Sequence, residues 1–197
     1  MADTLTRRSP LQGCESRFAN LPQSAAIADE PFVAMVDLWV DPAGPGGAAA
    51  ANVLGVDALP TTASTVVAGR DSEVIWLGPE ECLVTSTTRD GEDLEAALRE
   101  AVSEHRGAAV DVSAQRTTLR LRGAHARDVI AKGCSLDLHP AVFGRGAAAQ
   151  TVLGQAGVVL IPLSDNGTDY RIIVRSSFAR YLADWLIDAA EEFGVDW

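Results

Sequence analysis

Residues 32–107 and 108–197 carry the same succession of signals, namely strand, helix, strand, hairpin and helix. A chain that repeats such an order is expected to fold as two copies of one α+β unit, a tandem duplication. The first copy opens between 32 and 40, where every even position and most odd ones are apolar, so both faces of this strand need cover. The Gly-rich run at 44–47 reads as a flexible connector, followed by a short helix at 48–54 that Gly55 ends. Val66 and Val67 mark a second strand, and 74–77 with 82–85 flank Gly78 and Pro79 as a hairpin. From Asp90, an N-cap, Leu94, Leu98, Ala101 and Val102 recur at helical spacing until Gly107.

The second copy has extended segments at 110–112 and 117–122, with Leu119 and Leu121 on one face and Arg116, Arg120 and Arg122 on the other. A short helix at 124–132 stops at Gly133, and strands follow at 149–153, 158–163 and 171–174, the last two joined by an Asn166-Gly167 turn. Phe178, Tyr181, Leu182, Trp185, Leu186, Ala189 and Phe193 form the apolar stripe of a final helix. Residues 1–31 show no sustained period and read as an extended N-terminal arm.

Composition limits the partners. A formal charge of −11 over 197 residues lacks the basic stripe that nucleic acid requires. No apolar run has the length of a signal peptide or a membrane span. Cys14, Cys82 and Cys134 are few, odd in number and widely spaced, which suits reduced thiols in a cytoplasmic protein better than a disulfide framework or a zinc site.

Candidate chemistry is sparse. Gly144-Arg145-Gly146 leads a formal dinucleotide pattern, but a strand follows where a helix should open. His105, His125 and His139 have no metal spacing; His105 suits a helix C-terminus, and His139 suits loop ordering. Ser113, Asp111 and His125 can be written as a triad, yet no nucleophile elbow surrounds the serine. Glu80 and Asp111 sit in no recognisable acid/base pair. No catalytic, cofactor-binding or metal-binding residue is therefore expected. Trp39, on the doubly apolar strand, and Trp197, beyond the last helix stop, are the expected interface residues, because lasting interfaces are rich in aromatic side chains.

Lys132-Gly133-Cys134-Ser135-Leu136-Asp137-Leu138-His139-Pro140 resembles the signature of the gamma subunit of heterotetrameric sarcosine oxidase. The resemblance extends to Arg8-Ser9-Pro10-Leu11, to the run from Trp76 to Val84 and to the run from Phe178 to Leu186. It implies the folate-binding aminomethyltransferase fold of the glycine-cleavage T-protein. It also implies a complex that converts sarcosine to glycine, formaldehyde or methylenetetrahydrofolate, and hydrogen peroxide. In that family FAD, FMN, NAD, the folate site and zinc belong to the alpha, beta and delta chains. The gamma chain is expected to pack mainly on alpha as a structural subunit. A Lys-Gly-Cys run also occurs in a related folate-binding protein of iron–sulfur cluster repair, but there Gly-Gln-Glu follows, and here Ser135 to Pro140 does. Other readings are the equivalent subunit of a related N-methyl-amino-acid oxidase or dehydrogenase, a free-standing folate-binding one-carbon-transfer protein, and a redox protein relying on Cys134.

Overall fold

The computed structural model describes residues 6–194. Two five-stranded antiparallel sheets stack face to face, and helices cover their outer faces.

The first sheet is built mainly from the first copy. Strand β2 (Ala34–Trp39) runs beside β5 (Glu81–Ser86), which forms a hairpin with β4 (Glu73–Gly78), and β3 (Val66–Ala68) lies at the edge. Helices α2 (Pro45–Leu54) and α3 (Gly91–Val102) cover the outer face. The Asp90 side chain accepts from the Glu92 N–H, as an N-cap should. Helix α2 begins earlier than the expected 48, with Pro45 in its first turn, so the Gly-rich run is not a connector. Gly46 and Gly47 are buried there, and a Cβ on Gly47 would stand 2.5 Å from the Pro42 carbonyl oxygen.

The second sheet holds β7 (Arg116–Arg122), β10 (Asp169–Arg175), β9 (Ala156–Pro162) and β8 (Ala149–Leu153) in spatial order. Helices α4 (Ala126–Ala131) and α5 (Ala179–Glu191) pack on its outer face. The stripe expected on α5 is shifted. Ala183, Ile187 and Ala190 are buried, whereas Phe178 and Tyr181 at its start are exposed.

Each sheet is completed by a strand from the other side of the chain. Strand β1 (Ala26–Glu30) pairs with β7, and β6 (Ala108–Asp111) pairs with β2. Read from these borrowed edges, the sheets have matching orders, β1-β7-β10-β9-β8 and β6-β2-β5-β4-β3. The duplicated unit therefore starts at β1 and again at β6, and each copy lends its first strand to its partner.

The domain boundaries drawn from sequence need correction accordingly. The segment 1–31 is not an extended arm: α1 (Glu15–Ala19) lies within it, Leu11, Cys14 and Phe18 are buried in the second-sheet core, and β1 is a sheet edge. The division at 107/108 likewise separates β6 from the sheet it completes. The strand state of β1 was hidden because Ile27 is its one large apolar residue; pairing along β7 imposes that state.

Between the sheets lies an apolar layer containing Val33, Met35, Ile75, Leu83, Val159, Ile161 and Ile173. Strand β2 is thus covered on both faces, by Met35 inward and by Val36 and Leu38 toward the helices. At one end of this layer Arg171 Nε bonds Glu30 of β1 at 2.8 Å, and its terminal nitrogen bonds Glu73 of β4 at 2.6 Å. Arg120 holds Asp169 through two hydrogen bonds of 2.9 and 2.7 Å. One guanidinium, Arg171, thereby ties the borrowed strand to both sheets.

Deleting residues 1–31 should abolish cooperative folding. It removes the buried side chains of Leu11, Phe18 and Ile27, on the order of 6 kcal/mol of apolar burial and comparable with a domain's whole stability. Loss of the thermal unfolding transition checks this, and a sharp transition in the truncated chain would contradict it. A finer test is Gly123→Ala. Gly123 has φ +128° and lies against the leader, where a Cβ would approach the Ser24 carbonyl oxygen to 2.2 Å. We expect a loss of at least about 2 kcal/mol in denaturant unfolding.

Candidate functional site

The nine-residue signature forms a loop in which buried Cys134 and Leu138 alternate with exposed polar side chains that hold its backbone and neighbours. Lys132 donates to the Ala189 carbonyl near the end of α5, pairs with Glu192 at 2.7 Å and lies over the Phe193 ring. It thus serves as a cation at a helix C-terminus. Gly133 is required by contact: a Cβ there would meet the Trp185 ring at 2.4 Å and the Gly154 N–H nitrogen at 2.9 Å. The Cys134 thiol is buried, 3.6 Å from the Thr151 hydroxyl. Leu138 is buried, and Asp137 accepts from the His139 N–H at 2.9 Å. His139 Nδ1 in turn accepts from the Ala141 N–H, and its carbonyl accepts from the N–H groups of Val142 and Phe143. The histidine therefore orders the loop, as its position before Pro140 suggested.

The other candidates are dispersed. Ser113 Oγ meets Asp111 at 2.5 Å and accepts from the Met35 N–H at 2.9 Å, so it fastens β2. His125 is elsewhere, bonded to Asp128 at 2.9 Å and stacked on Phe193 at 4.4 Å, and the triad does not assemble. His105 closes a 3-10 turn after α3, with its Cβ where a side chain on Gly46 would go. Glu80 is exposed in the hairpin turn.

Gly144-Arg145-Gly146 leads into β8 and not into a helix. The Gly146 carbonyl accepts from the Val66 N–H, and Ala147 bridges to Thr65, so the segment joins the edges of the two sheets. These residues do not fit a dinucleotide, because the turn opens into a strand and not into a helix whose N-terminus could meet a pyrophosphate. Among the described residues, no three His, Cys, Asp or Glu side chains come together as a metal site, and no helix is long and apolar enough to cross a membrane.

A few large apolar side chains reach the surface. Trp39 at the end of β2 is 49% exposed, and Val110, Val152, Phe178 and Tyr181 are also exposed. Trp39 shares a face with Asp37 and is the cross-strand partner of Glu81, which places it at the end of the inter-sheet layer. Single exposed apolar residues are unremarkable, but a half-exposed Trp ending a core strand is the type of group that anchors interfaces. Trp197, the second expected anchor, lies outside the described residues.

Comparison with known proteins follows the same lines. Residues 39–192 match the model of the sarcosine oxidase, gamma subunit family. The chain is 34% identical to the sarcosine oxidase subunit gamma of Corynebacterium sp. (strain P-1), covering 98% of this chain and 94% of that relative. It is 31% identical to that of Arthrobacter sp., covering 96% and 93%. A chain of the heterotetrameric sarcosine oxidase from Corynebacterium sp. U-96 in complex with pyrrole 2-carboxylate superposes with a TM-score of 0.87 at 32% identity, covering 97% of this chain and 98% of that one. Aminomethyltransferase T of the glycine cleavage system from Bartonella henselae shares the fold, with a TM-score of 0.59 at 17% identity over 90% of this chain and 49% of that one.

All three cysteines are free and buried, and burial, followed by the charges of Glu81 and Asp37, pushes the Cys82 thiol up to about 11. At neutral pH about one Cys82 in ten thousand would be thiolate. The native chain should therefore react with a thiol reagent at fewer than one equivalent before denaturant is added and at three afterwards. Rapid native labelling of Cys134 would restore the redox reading.

Proposed function

The chain belongs to the sarcosine oxidase gamma subunit family, and from that premise we propose that it is the structural gamma subunit of a heterotetrameric sarcosine oxidase. The observation that carries this reading is the superposition over nearly the whole of both chains at a TM-score of 0.87. In this reading the chain has no active site of its own. Its work is to present a rigid surface to companion chains, mainly alpha, which with beta and delta hold FAD, FMN, NAD and zinc. The complex oxidises sarcosine to glycine, reduces oxygen to hydrogen peroxide and releases the one-carbon unit as formaldehyde or to tetrahydrofolate. A cytoplasmic site of action belongs to the same proposal.

The physical support is an inert interior and a sticky exterior. Several signature residues have structural contacts, with Lys132 on the α5 terminus, Gly133 under Trp185, and Cys134 and Leu138 buried. Two sheets locked by exchanged strands give a body that deforms little, which is what a scaffold for a neighbour's site requires. Trp39 is the anchor we assign to the interface, since a large aromatic side chain left half outside its own core gains most from being covered.

Coexpressed with its companion chains, the protein should copurify in stoichiometric amount, and purified alone it should carry no flavin and show no oxidase activity. Trp39→Ala should weaken assembly by about 2 kcal/mol, typical of a buried aromatic anchor, with turnover per intact complex unchanged. The dissociation midpoint measured beside the turnover number tests both. An unchanged midpoint would remove Trp39 from the interface, and a yellow chromophore bound to the isolated chain would overturn the structural reading.

A further inference from the structure

At the Trp39 end of the inter-sheet layer the register sets two arginines side by side. Arg116 of β7 and Arg175 of β10 are cross-strand partners, so their side chains leave the same face. Like charges directly opposite one another on a sheet repel. Among the described residues no carboxylate lies within ion-pair distance of either. Arg116 Nε is enclosed and finds no acceptor among them. Burial holds the Arg116 guanidinium below its ordinary range; the charge of Asp37 opposes this shift and that of Arg175 adds to it.

Asp37 and Glu81, on the facing sheet, act on Arg116 through their charge without reaching it, and Asp37 Oδ1 is likewise enclosed and without a partner. The chain thus keeps two cations side by side and sets the charges of Asp37 and Glu81 near Arg116, but closes no ion pair on either arginine among the described residues.

The space beside them, about 290 Å³, is floored by Arg116, Gln150, Gly157, Arg175 and Phe178. Gln150, Gly157, Arg175 and Phe178 are themselves exposed, so the floor is a shelf and not an enclosure. A free anion resting on a shelf stays in water and is weakly held, whereas a protein surface laid over it would exclude that water. The apolar margin fits the second case: Phe178 is 42% exposed, and Val152, the register partner of Gly157, is 55% exposed.

We propose that this shelf is a docking site for an acidic segment of a companion subunit, whose Asp or Glu carboxylate pairs with Arg175 and with the part of Arg116 that borders the space, while apolar neighbours cover Phe178 and Val152. The proposal rests on reading this chain as a subunit. A carboxylate there would relieve the Arg–Arg repulsion and complete an aromatic-and-arginine contact of the kind that dominates interfaces.

The test uses the coexpressed complex with Arg175→Glu, Arg175→Lys and Arg116→Gln. Arg175 is exposed, so its variants should leave the thermal midpoint of the isolated chain in place. Arg175→Glu should weaken association at least about tenfold, Arg175→Lys less than about threefold, and the wild-type complex should loosen as salt rises. If Arg116→Gln fails to fold, the Arg175 pair still decides. An Arg175→Glu complex as tight as wild type overturns this inference and leaves the subunit reading intact. Failure of the wild-type chain to copurify with any companion removes both. Acetate and inorganic phosphate, titrated separately onto the isolated chain with tryptophan fluorescence as readout, form the other arm. Submillimolar binding of either would make the shelf a small-anion site and overturn the docking assignment, and no response up to tens of millimolar supports it.

Discussion

The pairing of β1 with β7 and of β6 with β2 governs the rest of this structure. Neither sheet has its full edge until the opposite copy supplies a strand, so neither copy can fold to completion alone. The exchange explains why an unpromising segment such as Ala26–Glu30 becomes a strand: its N–H and C=O groups meet the unpaired edge of β7 in register. It also brings the two sheets face to face, because the links from β1 to β2 and from β6 to β7 are too short to let them separate.

Polarity within the inter-sheet layer is arranged around that constraint. Arg171 is largely covered and spends its donors on Glu30 and Glu73, one on the borrowed strand and one on the facing sheet. Covered ion pairs add little net stability after desolvation, but they select one arrangement, here the alignment of β1 and the placing of one sheet on the other. At the opposite end of the layer the charges are held apart instead. Arg116 and Arg175 line an open shelf, and Asp37 and Glu81 act on Arg116 through their charge without forming an ion pair. The first end binds the protein to itself, and the second is available to something else.

A family signature is often read as a list of reactive groups, and the nine residues from Lys132 to Pro140 show the alternative. Lys132 closes a helix terminus, Gly133 yields space to Trp185, Cys134 and Leu138 fill the core, and Asp137 and His139 organise the turn. Trp185 is the residue that sequence reasoning missed here. Its place in an apolar stripe was evident, but its contact with Gly133 joins two segments that no local pattern connects.

The sequence by itself determined the element types, because they rest on periodicity and local capping: the amphipathic α3 and α5, the β4–β5 hairpin, and the duplicated order that implied two equivalent units. It also singled out Trp39 as an expected interface residue, and the structure leaves that side chain half-exposed at the end of β2. Only the tertiary structure decided that β1 is a strand, that Pro45 and the glycines after it start a helix, and that the copies exchange edges. The arginine shelf was invisible for the same reason. Arg116 and Arg175 are distant in sequence and become neighbours only through antiparallel register, and a charge shows itself as unpaired only when every surrounding element is in place.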